Sequence, residues 1–446
     1  MSMKYLLSLS LALALIESIS IPARADVELI KNLKLDTSIE TRSVSIDNAT
    51  DRNATHDDYT AETNYRIMLG GSFDLLDDVH GRLQLDKNAL QGSGSGSIET
   101  VEASTFFDNA YVKIDKVFNH IDLTAGRQFY GDSNDLVIYF GPQNDSVLSI
   151  TSLDAFRADA DIMGVAKFQG IAGKLADNGS QLSLAAEPSP VNSNSDTDVW
   201  GGEINTDKVI PAGNLAAYYY TRQVKKEANA ILGNNTLSVY GARAKGDIKL
   251  IGGLGYNAEI IANAGRNNGV AGTPAYDGTA YSLGLNYGHS VSNMPIRANI
   301  DYAQGSHNFA AVAPGRRYGI IWGEFTNAFL DPSVVNGVGG AGVSNLKVLD
   351  AGVGINPIEK LGIDLNAYRF RYAASGANPA NFATGNTSNL TSAGMEYDLI
   401  VSWKHSQNVS FDVNAAIFDP GDALQNIGGT PTNPITELGA DMKIKF

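Results

Sequence analysis

The chain has 446 residues, with 33 basic against 48 acidic side chains and a net charge of −15. That balance excludes a nucleic-acid binder, which needs a basic footprint, and gives no electrostatic reason to sit on an anionic membrane surface. Cysteine is absent, which removes disulfide frameworks, thiolate metal sites and thiol nucleophiles together.

Residues 1–25 read as a secretory signal: Lys4 is the basic start, residues 5–16 are an apolar run, and Ala23-Arg24-Ala25 supplies small residues for cleavage before Asp26. No cysteine stands in the lipoprotein position. Residues 26–446 are then expected to form one exported domain. They hold no run of about 18 apolar residues. If they span a membrane they must do so as a closed β-barrel, because open sheet edges find no hydrogen-bond partners in lipid.

From Asp26 onward the pattern is alternation. Residues 33–45 set Leu33, Leu35, Thr37 and Ile39 against Lys34, Asp36, Glu40 and Arg42, and residues 64–75 set Tyr65, Ile67, Leu69 and Phe73 against Asn64, Arg66, Ser72 and Asp74. Successive side chains of a strand point to opposite faces, so each segment has an apolar and a polar side. Further strands are expected at 82–86, 106–117 and 120–130, one somewhere within 155–176, then 181–187, 199–205, 214–222, 237–249, 254–263, 280–287 and 295–304. The series ends with 346–356, 362–372, 395–405, 409–418 and 437–446. This makes an all-β, antiparallel transmembrane barrel of about eighteen strands, with sixteen as the alternative. Short polar turns (177–180, 357–361, 405–408) alternate with long loops, the longest being 305–345. That loop has two readings, an inward fold that narrows the pore or a solvated surface loop. In the first, Arg316, Arg317, Trp322 and Glu324 are the constriction candidates.

The last strand places Leu438, Ala440, Met442 and Ile444 on one face and ends on Phe446. It resembles the terminal strand by which outer-membrane proteins are presented to the barrel-assembly machinery. The expected location is therefore the bacterial outer membrane, with lipid against the apolar faces and water against the polar ones. On the polar faces Arg66, Arg82, Lys113, Arg243, Lys245, Glu259, Arg297, Asp301, Glu396 and Asp398 are expected to line the pore. Strict alternation puts Arg127 on the lipid side with Leu123 and Ala125. A bulge at Gly126 would return it to the pore-lining set, and a place at the membrane rim is the alternative. Aromatics at 218–220, Tyr368, Phe370, Tyr372, Trp403 and Phe418 read as interface girdles, or as a stacking path inside the pore.

Catalytic chemistry is sparse. The six histidines show no metal-ligand spacing, no G-x-S-x-G elbow occurs, and no metal or cofactor is expected. A channel fits better than an enzyme.

Three blocks carry a family resemblance: Gly126-Arg127-Gln128 with Tyr130-Gly131-Asp132 and then residues 153–157; residues from Phe325 through Asn327 and 337–342 to Asn345-Leu346 and Pro357; and Gly394-Met395-Glu396-Tyr397-Asp398 ending at Phe418-Asp419-Pro420-Gly421. Together they resemble the alginate export family of outer-membrane barrels. The resemblance implies a monomeric eighteen-stranded barrel that moves an acidic polysaccharide. The polar faces depart from it, since acids slightly outnumber bases where an alginate path is basic. The expected function is a porin-like channel for passive passage of small or oligomeric hydrophilic solutes. The alternatives are an exporter of an anionic exopolysaccharide and a structural or adhesive barrel with functional external loops.

Overall fold

Strands form wherever the alternating segments occur, and their pairing closes on itself. The computed structural model describes residues 30–48, 59–92, 105–176, 195–226, 235–267, 275–325, 342–374, 391–425 and 433–446. Eighteen strands make the barrel wall: β1 (Lys31–Asp47), β2 (Thr60–Leu76), β3 (Val79–Gly92), β4 (Thr105–Val117), β5 (Ile121–Gln128), β6 (Leu153–Ile162), β7 (Ala166–Ala176), β8 (Ser195–Thr206) and β9 (Gly213–Lys226), followed by β10 (Asn235–Asp247), β11 (Leu254–Asn267), β12 (Thr279–Val291), β13 (Met294–Gly305), β14 (Leu346–Ile358), β15 (Leu361–Tyr372), β16 (Ser392–Lys404), β17 (Val409–Pro420) and β18 (Ile435–Lys445). Each pairs antiparallel with the next, and β18 returns to β1 from Ser38 against Lys445 to Asp47 against Thr436. Phe446 completes the seam by exchanging backbone hydrogen bonds with Thr37. Each of the eighteen described wall strands is paired on both sides, which is the condition for a sheet in hydrocarbon.

The outward face is apolar. Leu69, Phe156, Ile260, Leu283, Val353, Leu365 and Leu438 are each more than half exposed. In water such a belt would aggregate, whereas against lipid tails it is matched. The turns 77–78, 163–165 and 292–293 lie at the same end as the start of β1 and the end of β18, the periplasmic end in barrels of this build.

The wall differs from the sequence expectation at one place. The alternation predicts one strand somewhere within 155–176, whereas the structure holds parts of two there, β6 and β7. Met163 and Gly164 make the turn, with φ of 55° and 67°. A two-residue hairpin turn with both φ values positive normally signals itself through Asn-Gly or Asp-Gly. Here it is built from Ile162-Met163-Gly164-Val165, so the apolar run conceals it. The expected strand at 181–187 and turn at 177–180 lie outside the described residues.

The interior has two storeys. Toward the turn end the lumenal side chains are polar and open to water. Toward the loop end the lumenal face becomes apolar (Leu153, Val199, Leu237, Val239, Ile261, Val348, Phe370, Phe418), and two inward loops pack on it. They contribute Leu136, Val137, Ile138, Phe140, Phe309, Val312, Ile321 and Trp322, all almost fully buried. Burying each of these large side chains is worth about 1.5–3 kcal/mol, which holds the loops inside rather than out in solvent.

Candidate functional site: the lumen and its constriction

The first inward loop (129–152) and the second (306–325, rejoined at 342–345) meet across the barrel. Tyr139 N–H donates to the Ala313 carbonyl at 2.7 Å, and Ala313 N–H donates to Val137 at 2.9 Å. The N–H groups of Gly315 and Arg316 both reach the Asp135 carbonyl (2.8 and 3.0 Å). The Asp135 carboxylate accepts from Val137 and Ile138 N–H (2.7 and 3.1 Å), so this turn is fixed before it meets its partner. Arg317 ties the loops again through its ion pair with Asp145.

Lumenal side chains clamp each loop. The Arg66 guanidinium donates to the carbonyls of Gln143, Leu148 and Ser149 (3.0, 3.2 and 3.2 Å) and pairs with Glu40 at 2.6 Å. Arg42 grips the Asp145 carbonyl and the Asn144 side chain, both at 2.7 Å, while forking onto Asp441. The second loop is held by acids. Glu396 accepts from Ile321 and Trp322 N–H (2.7 and 2.8 Å), and Asp398 accepts from Ile320 N–H at 3.1 Å. These are the otherwise unpaired N–H groups at the start of the short helix Ile321–Phe325. Arg222 adds a hydrogen bond to the Val312 carbonyl, and Asn263 bonds the carbonyl of Ala310.

The residues expected to line the pore therefore divide by height. Arg66, Glu396 and Asp398 are lumenal but at most 3 % exposed. They hold loops and do not meet solute. Arg82 pairs with Asp36 at 2.7 Å, Lys113 with Asp115 and Asp122 at 2.7 and 2.9 Å, and Arg297 with Asp364 and Asn356. These three line the wet turn-end vestibule. Lys245 is exposed there, between Asn214 and Asn257. At the constriction Arg243 joins Glu203 and Asp135 and stands 5.5 Å over the Tyr218 ring. Glu259 accepts from the Tyr218 hydroxyl at 2.6 Å. Asp301 faces Arg316 at 3.5 Å, and Arg316 lies 4.8 Å over the Tyr318 ring. Burial pushes the Tyr318 hydroxyl up from its ordinary value, so it remains neutral.

Arg127 is not pore-lining. Gly126 has φ +124°, but pairing runs unbroken through it, with Ala110 opposite Arg127 and Tyr111 opposite Gly126. With no extra residue in the strand there is no face reversal. Arg127 stays on the outer face, forked onto Asp154 at 2.6 and 2.7 Å. A second correction concerns Trp322. It does not project into the path but stacks on Phe370 at 4.3 Å and leans on Phe418. Arg316 and Arg317 lie in the second inward loop, facing Asp301 and Asp145. The Glu324 side chain lies outside the described residues. The girdle is corrected too: Tyr218, Tyr220, Phe370 and Phe418 are buried on the lumenal side, while Tyr219 and Trp403 face outward.

Sequence reasoning missed the inward fold of residues 129–152 and with it Asp135, Asp145 and the clamp role of Arg42. A signal was present in Leu136-Val137-Ile138-Tyr139-Phe140, an apolar run inside an otherwise polar loop, which needs a buried surface.

The model of a family described as alginate export matches residues 41–436. No curated protein sequence matches the chain. Among solved structures the chain is similar to the outer membrane protein OprD from Pseudomonas aeruginosa, with 12 % identity, 94 % of each chain covered and a TM-score of 0.56. It is also similar to OccD3 (OpdP) from the same organism, with 12 % identity, 94 % and 92 % covered and a TM-score of 0.54. OccAB2 from Acinetobacter baumannii gives 13 % identity, 93 % and 98 % covered and a TM-score of 0.53. At these identities the likeness is one of fold.

Proposed function

This chain belongs to the alginate export family, and from that premise we propose that it is a porin-like outer-membrane channel for passive passage of small or oligomeric hydrophilic solutes. The observation that carries this reading is the lumen itself, a wet, ion-paired vestibule leading to a constriction made by two clamped loops. A lumen filled for structural purposes alone would not keep Arg297 or Lys113 more than a third exposed. Export of the chain with cleavage after Ala25, a single barrel domain over residues 26–446, and delivery of the Phe446 strand to the barrel-assembly machinery complete the proposal. Catalysis has no part in it.

The family's description favours a second reading, export of an anionic exopolysaccharide. An acidic polymer needs guanidinium groups free to fork onto its carboxylates. Here the lumenal guanidiniums of Arg42, Arg66, Arg82, Arg157, Arg243, Arg297, Arg316 and Arg317 each face a carboxylate of the protein. On the lumenal face of β13–β17 the acids (Asp301, Asp350, Asp364, Glu396, Asp398, Asp412) outnumber the bases, Arg297 and Lys404. A passive channel for solutes other than polyanions is thus the better-supported reading.

Single-channel recording of the refolded protein in a planar bilayer tests it. A stable open conductance in potassium chloride is the expected result. A barrel that refolds but never conducts would shift the reading to an adhesive or structural barrel.

A further inference from the structure

Between the ion-paired vestibule and the inward loops, one arc of the lumenal wall is amide. Asn286 of β12 stands opposite Asn299 of β13, Asn299 opposite Gly352 of β14, and Gly352 opposite Asn366 of β15. The three asparagines share the strand face of Arg297, Asp301 and Asp364, which is the lumenal one. Their row lies one step to the periplasmic side of Asp301, Asp350 and Glu396, directly beneath the two-loop constriction.

Gly352 is what lets the row form. A Cβ at that position would stand 2.3 Å from Oδ1 of both Asn299 and Asn366, so the two amides lie over it from either side. With neighbouring strands about 4.8 Å apart, the row offers polar groups at regular intervals along an arc of the wall. Asn299 donates one N–H to Asp350 at 3.3 Å. Asn286 is exposed and Asn366 partly so, and among the described residues neither has a hydrogen-bond partner.

The charges around the row are paired or buried. Asp301 faces Arg316, Glu396 and Asp398 take loop N–H groups, Arg297 is forked onto Asp364, and Asp350, which accepts from Asn299, is buried. What the arc presents to solute is therefore uncharged and carries donors and acceptors together. A hydroxyl group has the same dual character, whereas a carboxylate only accepts and an ammonium only donates. We propose that the Asn286–Asn299–Asn366 row is a specificity-determining contact track for uncharged polyhydroxylated solutes, neutral saccharides being the class. As a statement about transport this rests on the channel reading, but the binding it asserts does not.

The test uses full-length folded protein and the double variant Asn299→Ala/Asn366→Ala. The binding arm is saturation-transfer NMR in detergent with maltotriose, trigalacturonate and chitosan trimer as neutral, acidic and basic probes of one size. The transport arm is liposome swelling with the same three. Wild type should favour maltotriose in both arms. The double variant should lose that preference by about five-fold, the equivalent of one neutral hydrogen bond of about 1 kcal/mol. Its potassium chloride conductance should not fall, because the substitutions widen the lumen and remove no charge, although Asp350 loses the Asn299 hydrogen bond. Equal maltotriose transfer in wild type and variant, or a wild-type preference for either charged trimer, overturns the track. Absence of conductance with maltotriose binding intact overturns the channel reading and leaves the track standing.

Discussion

At the scale of single residues, the lumenal ions act as fasteners more than as selectors. Arg66 and Glu40 are 3 % and 6 % exposed, and Arg66 also caps three loop carbonyls. Removing one member of such a buried pair strands the other and costs about 3–5 kcal/mol. Arg66→Ala is therefore expected to free loop 129–152 while leaving the wall closed. The readout is single-channel current, with larger and noisier openings and an unchanged heat-modifiable mobility on gels; a quiet trace like wild type would refute the clamp. Trp322→Ala makes the same case for the second loop. Loss of a buried aromatic stacked on Phe370 costs about 3–5 kcal/mol, and accelerated protease cleavage within 306–325 is the measurement.

The elements show how a strand's face is decided. A residue changes face only if the register slips or a bulge intervenes. Gly126, despite its unusual φ, does neither, so Arg127 stays outside. The glycine is required for another reason: a Cβ there would stand 2.2 Å from the Ala110 carbonyl oxygen, in a backbone conformation that side chains avoid. Gly126→Val should impair the β4–β5 pairing and lower the yield of refolded, heat-modifiable barrel, while the same change at Gly164, which meets no atom within 4 Å, should strain only the turn. Equal yields for both variants would show that close approach at Gly126 is not limiting. The hidden turn at Met163-Gly164 teaches the complementary lesson. It is illegible because Gly164 stands in an apolar run, with Met163 where Asn or Asp would normally precede it.

For the whole molecule, the paired arginines and the excess of acids set the field in the pore. With low-dielectric walls, an acidic lumen concentrates cations. In a salt gradient the reversal potential should carry the sign of cation preference. That preference should weaken on acidification, because protonation removes the carboxylates' negative charge. Arg82→Glu and Lys113→Glu, each at the wet vestibule, should strengthen it. Reversal potentials unmoved by both changes would contradict the lumenal placement of these two side chains.

What the sequence by itself determined is the wall. Period-two alternation, turn spacing and the need to satisfy every backbone group in lipid are local properties, readable residue by residue, and they lead to a closed antiparallel barrel of about eighteen strands, with sixteen as the alternative, and with Arg82, Lys113, Arg243, Arg297 and Asp301 on its polar strand faces. Only the tertiary structure decided which of those side chains meet water. Whether Glu396 lines a path or caps a helix, and whether Trp322 narrows the pore or anchors to Phe370, depends on contacts across the barrel between segments far apart in sequence. Alternation determines a face but not a height, and two apolar loops folded into the lumen turn half of that face into a core.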